Sequence, residues 1–319
     1  MIPFASQRGG GQDLATHLLN EYDNDLVEVE QVRGAITRDL HGAFKEWEVQ
    51  AQTLTKCEEY LYSMSINPDK RQGVLTKDQY LDYIQRAESA LGLSGPRRAI
   101  VFHVKEGREH SHVIWSRIIP EQEKAVHMAF DKDKLMQVTR GFARDHNLRL
   151  PAGYEKSRKR GQESLYEREQ QRQTSITKAD PMGEVTEAWH HRDTPKAFVR
   201  GLAERGYLLA TGERDYVLVD IYGGMNSLPK LIDDKDVNVK QVREFLGKDF
   251  PKESLPTIEE AQQLVANHRK LTEKTRNDDR LAERQAQLKH AQADRRKELE
   301  RQSEALKQNQ QHLRRDQQK

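Results

Sequence analysis

Three histidines, His103, His110 and His112, fall inside ten consecutive positions of a chain that holds only twelve. They belong to the stretch VFHVKEGREHSHVIWSR, residues 101–117, in which two apolar-rich runs flank the polar segment KEGRE. Such runs read as the two strands of a hairpin. Alternate side chains of a strand share a face, so His110 and His112 project together while Val113 and Trp115 turn to the other side. His103 joins them if an even-length loop pairs it opposite His110 or His112; a slip of one residue would carry it to the wrong face. Three neutral imidazoles gathered in this way would hold a divalent cation and leave positions open for substrate oxygens, which is what a Lewis-acid site requires. Glu106 and Glu109, in the turn, could orient a ligand imidazole through its second nitrogen. Turn glutamates are more commonly just solvated, and His41, His127, His146 and His190 are read as structural or solvated histidines.

The elements that must position this cluster are legible on either side of it. A strand at residues 2–6 precedes RGGGQDLATHLLNEY, where glycines give way to Asp13 as N-cap and a helix carrying Leu14, His17 and Leu18. LVEVEQV alternates like a strand. Thr37 opens a helix whose Leu40, Phe44, Trp47 and Ala51 form one apolar stripe. EYLYSMSI follows as a strand, with Tyr60, Tyr62 and Trp47 read as core or sheet residues. Thr76 and Gln79 form a capping box for a helix that stops near Gly92 and Gly95. After the histidine hairpin, KDKLMQVTRGFARDHNL closes an α+β sandwich with a largely antiparallel sheet over residues 1–151. Residues 152–189 read as a charged linker, 190–250 as a small α/β unit with a helix and a hairpin around TGERD, and 257–319 as an extended charged helix.

Composition bounds the class. A charged fraction of 33% and a mean hydropathy of -0.94 are too polar for one continuous core across 319 residues. The single cysteine, Cys57, excludes an internal disulfide and a cysteine-based zinc site, and fits a reducing compartment. No signal-peptide pattern opens the sequence and no apolar run is long enough to span a bilayer, so a soluble protein with no membrane insertion is expected. A net charge of +2 points only weakly to a polyanionic partner, because local clustering matters more than the total.

The segment HVKEGREHSH resembles the third motif of the HUH-fold relaxases, the mobilisation nucleases of conjugative plasmids and integrative elements, and within them the MobP/MobQ-like group. The likeness covers roughly the first 150 residues and is most specific at this motif, where Ser111 stands in place of the hydrophobic residue between the two histidines. It implies an antiparallel-sheet HUH nuclease fold in which His103, His110 and His112 bind a divalent ion, magnesium or manganese. The family's nucleophile lies where glycines precede a helix. GGGQDLATHLLN matches that segment, with His17 in the tyrosine's place and Tyr22 as the competing candidate. An imidazole can attack phosphorus as a phenol does, and His17 is favoured. Were both residues on one helix, they would differ by roughly 140° around its axis, and only one could face the metal well. Ser65, sharing a strand face with Ser63, matches the family's DNA-contacting serine.

The activity so implied is metal-dependent transesterification at an origin of transfer, leaving a covalent 5′-phosphate adduct for conjugation. The implied partners are single-stranded origin-of-transfer DNA, a type IV coupling protein and relaxosome accessory proteins, in the bacterial cytoplasm. Arg8, Arg97, Arg98 and Arg117 are candidates for DNA binding, with KSRKR at 156–160 as a further basic cluster. Two other readings stand beside it. One is an HUH-type replication initiator, for which Tyr154 and Arg158 offer an imperfect motif; the other is a non-catalytic DNA-binding or scaffold protein that would hold no metal tightly.

Overall fold

A computed structural model describes residues 2–22, 24–69, 73–95, 97–150, 181–212, 216–234 and 236–316. Its first part is built on five strands, β1 (Ile2–Arg8), β2 (Leu26–Arg33), β3 (Leu61–Asn67), β4 (Arg98–Lys105) and β5 (Arg108–Ser116), in the order β1-β3-β5-β4-β2. Every neighbouring pair is antiparallel. Helices α1 (Gly11–Leu18) and α2 (Leu40–Leu54) cover one face, and α3 (Lys77–Leu91) and α4 (Asp131–Asp145) cover the other. Strand period alone sorts the side chains between two cores. Ile100, Phe102, Val113 and Trp115 pack with Tyr80, Tyr83, Ile84 and Phe142, while their sequence neighbours Ala99, Val101 and Ile114 pack with Leu14, Leu18, Phe44 and Trp47. Each of these fully buried large side chains contributes about 1.5–3 kcal/mol over exposure. The expected α+β architecture with an antiparallel sheet is the one present.

Helix starts differ from expectation where the fold uses something other than a local side-chain cap. The capping box of Thr76 and Gln79 and the left-handed Gly92 bound α3 as expected. Helix α1, however, begins at Gly11 and not at Asp13: Gly10 is left-handed (φ 59°) and the Gly11 amide donates to the Tyr60 hydroxyl at 3.1 Å. A side chain at Gly11 would meet that hydroxyl at 2.4 Å, so glycine is required for the approach. Helix α2 opens on Asp39, whose carboxylate accepts from the Gly42 amide, and not on Thr37. Helix α1 also ends at Leu18, so Tyr22 lies beyond it and the helical angle between positions 17 and 22 does not apply.

Short strands β6 (Ile118–Ile119) and β7 (Lys124–Ala125) lead to α4. Residues 152–180, with KSRKR, Tyr154 and Arg158, lie outside the described residues. The stretch expected to end a linker at residue 189 is instead helical from Pro181: α5 (Pro181–His190) packs Val185 and Trp189 with α6 (Pro195–Glu204) and α8 (Val239–Leu246) in one core. That core also takes residues of β8 (Tyr207–Ala210), β9 (Val217–Asp220) and the short α7 (Leu228–Leu231), while β10 (Met225–Ser227) pairs with β9. This part is docked and not tethered, because Met1–Thr272 form one compact unit. Ala129 and Phe130 pack against Ala210, Val219 and the start of α9 (Ile258–Asp316), where His268 bonds Asp133 at 2.8 Å. Residues from Glu273 form a second unit, the charged remainder of the α9 helix. No described helix is long and apolar enough to cross a membrane.

Candidate active site

The hairpin between β4 and β5 sets the register. Glu106 (φ 52°) and Gly107 (φ 68°) are both left-handed, the signature of a two-residue type I′ turn. That even loop places His103 directly opposite His110, and two residues along, His112 opposite Val101 on one side and Ser65 of β3 on the other. All three imidazoles therefore share the face that α1 partly covers. One ring nitrogen from each lies within 4.8 Å of the others, and the ring centroids are 4.7 to 5.3 Å apart.

The protonation states suit a cation. His103 is buried, and its Nε2 lies 2.7 Å from the Leu18 carbonyl at the end of α1. A carbonyl only accepts, so Nε2 carries the proton and Nδ1 keeps its lone pair. Burial lowers the His103 pKa, the Leu18 carbonyl opposes this, and nearby His17 adds to the lowering. Burial and His103 lower that of His110. His112 is lowered to about 3 by burial, then by His103, His110, His17 and Arg8. All three are thus neutral at neutral pH, each with a nitrogen lone pair free to ligate, and the donor set fits a divalent metal.

Residues 17–148 match the family model for the relaxase nuclease domain, MobA/VirD2-like. This region is a relaxase nuclease domain. The match runs from the last turn of α1 through α4 and takes in His17 and the three histidines, but not β1 or the glycine turn. No curated protein and no solved structure matches the chain.

Within the relaxase domain, His17 sits in the last turn of α1, exposed, and close enough to add to the lowering of the His103 and His112 pKa values. Tyr22 lies in the loop that follows, 96% exposed. Ser65 is the cross-strand partner of His112 and accepts from the Asn67 amide at 3.0 Å. Helix α1 is held by Tyr60 at its start and by Gln12, whose amide donates to the His41 carbonyl at 2.9 Å and whose oxygen lies 3.0 Å from His41 Nδ1.

Of the four arginines expected to bind DNA, Arg8 alone lies near the cluster. It shares the face of Phe4 and Ser6, bonds the Ser6 hydroxyl, and depresses the His112 pKa. Arg98 is a correction: its buried guanidinium pairs with Glu88 at 2.6 Å and bonds Gln31, on a network that Trp115 completes at 2.7 Å. Arg117 is another, buried and donating to the carbonyls of Glu59 and Val126. Arg97 stands with Arg98 at the start of β4, five or six residues from His103, which is roughly 17–20 Å along a strand. Glu106 and Glu109 do not orient the ligands either. Glu106 pairs with exposed Arg108, and Glu109 points to the opposite face, where burial raises its pKa and Lys77 opposes that rise.

Three contributors escaped the sequence reading. The Leu18 carbonyl orients His103, and a backbone atom has no residue-type signature. Lys105 and Arg108 are cross-strand partners one step beyond His103 and His110, on the same face, and both lower the His110 pKa. Their signal was present in the sequence, since the alternation that aligns His103 with His110 aligns Lys105 and Arg108 too.

Proposed function

We propose that the protein nicks one strand at an origin of transfer by metal-dependent transesterification and remains joined to the 5′ phosphate. The observation that carries this reading is the set of three neutral, convergent imidazoles beside His17 at the end of α1. His103, His110 and His112 would hold the ion, which when bound supplies Lewis-acid neutralisation of the phosphate's charge. Of magnesium and manganese, an all-imidazole donor set favours manganese, because magnesium prefers oxygen ligands.

The chain's own groups do the rest. A ring nitrogen of His17 attacks phosphorus and the bond to the 3′ oxygen breaks; that oxygen takes up a proton, and the second nitrogen of His17 releases one. Tyr22 is the competing nucleophile, through its phenolic oxygen. The Ser65 hydroxyl donates to a phosphate oxygen, while Arg8, Lys105 and Arg108 pair with the flanking backbone. The likeness to mobilisation relaxases supports single-stranded origin-of-transfer DNA as substrate, a type IV coupling protein and relaxosome accessory proteins as partners, and the bacterial cytoplasm as the setting.

Cleavage of single-stranded origin-of-transfer DNA by the metal-stripped protein, with and without manganese, tests the reading. Activity restored by manganese and lost in His112→Ala is expected. Equal cleavage without metal would overturn it.

A further inference from the structure

Among the described residues, the exposed aromatic rings are Phe4, at 68%, and Tyr22. An aromatic ring on a strand normally seeks cover, and Ala5, beside it on the other face, packs against the core under α4. Phe4 is different. Its register partner is Ser65, and Ser65 in turn partners His112, so Phe4, Ser65 and His112 form one row across β1, β3 and β5 on the face that carries the histidine cluster. Adjacent strands are about 4.8 Å apart, which sets Phe4 roughly 10 Å from His112 along the row. The same strand brings Arg8 and its positive charge to that face.

We infer that Phe4 is a base-stacking platform for single-stranded DNA, holding by its ring a base that adjoins the phosphate at the histidine cluster. The inference rests on the proposed action on DNA and adds a residue to it. The cations along this face, Arg8, Lys105 and Arg108, are suited to the backbone of a single strand but give no purchase on its bases. An exposed, flat, uncharged ring in the histidine row supplies one. Duplex DNA keeps its bases stacked on one another, so a ring in this place selects an unpaired strand. Because every base has a π face, the contact is tolerant of sequence and serves positioning rather than readout.

The test uses the full chain and two fluorescein-labelled probes of equal length and charge, oligo(dT) and an abasic deoxyribose-phosphate strand. Wild type should prefer oligo(dT). Phe4→Ala should weaken oligo(dT) binding by roughly 5- to 150-fold while leaving the abasic strand unchanged. Phe4→Trp should retain the preference, with its indole fluorescence quenched on binding, and Phe4→Leu, apolar but not flat, should not. Since the side chain is exposed, these variants keep the fold, which thermal denaturation verifies. Phe4→Ala binding oligo(dT) as wild type does, or losing affinity equally for both probes, would overturn the platform and leave the nuclease reading intact. Wild type binding neither probe would overturn both.

Discussion

Gly11→Ala should destabilise this protein even though alanine is the better helix former. Propensity favours the substitution by at most about 1 kcal/mol. Against it, the added Cβ would lie 2.4 Å from the Tyr60 hydroxyl and 3.1 Å from Phe44 Cβ, both on buried residues. Overpacking of this kind costs about 1–3 kcal/mol, and the displaced Gly11–Tyr60 hydrogen bond about 0.5–1.5 more. The steric term wins, for a net loss of about 1–3 kcal/mol. Tyr60→Phe alone should cost about 1 kcal/mol, and the double variant should lie close to Tyr60→Phe, a coupling of about 1–3 kcal/mol read from urea denaturation of the four proteins. The consequence reaches the site because α1 carries the Leu18 carbonyl to His103. Calorimetric manganese affinity should therefore fall roughly 10- to 100-fold in Gly11→Ala, the scale for loss of a ligand-orienting partner, and recover in part in the double variant. Gly11→Ala with wild-type stability, or no rescue by Tyr60→Phe, would refute the steric reasoning.

Arg98→Met should cost about 3–5 kcal/mol by removing the buried charge partner of Glu88, which keeps the Trp115 N–H, without changing the DNA affinity of the folded protein; Arg8→Ala should spare stability and reduce the salt dependence of single-stranded DNA binding by about one phosphate contact. Ser111→Ala should stabilise by about 1 kcal/mol, because the buried Ser111 hydroxyl has no hydrogen-bond partner among the described residues, and chemical denaturation reads the sign. Alkali should unfold the protein cooperatively. Burial raises the Tyr60 pKa to about 12, and burial raises those of Tyr62 and Tyr80 as well, so their stabilisation is whole below pH ~10 and is lost as pH rises past it. Circular dichroism followed with tyrosinate absorbance should show these three ionising only with unfolding.

The histidine cluster was legible because each step depends on local rules. Strand alternation aligns His110 with His112, and a two-residue turn fixes the parity of His103. The arginines were not legible for the converse reason. In sequence, Arg98 looks the same whether it faces phosphate or Glu88, and only packing of α3 on the sheet brings that glutamate to it. The start of α1 was misplaced because Asp13 suits a local cap, whereas the fold uses a left-handed glycine and a hydroxyl 49 positions away. Helix α5 was hidden by the charged stretch before it, although Val185, Ala188 and Trp189 do form a helical stripe. Phe4 was not legible because its place in the row across β3 to His112 is set by pairing between distant strands.

The central claim is a covalent intermediate formed beside the three-histidine metal site. Its most direct test is to incubate the manganese-loaded protein with single-stranded origin-of-transfer DNA, digest it, and locate the residue bearing the 5′ phosphate by mass spectrometry. The account predicts an acid-labile phosphorus–nitrogen adduct on His17 that survives in Tyr22→Phe and is missing from His17→Ala and His112→Ala. An acid-stable adduct on Tyr22 would contradict the choice of nucleophile, and strand cleavage with no protein–DNA adduct at all would contradict the account itself.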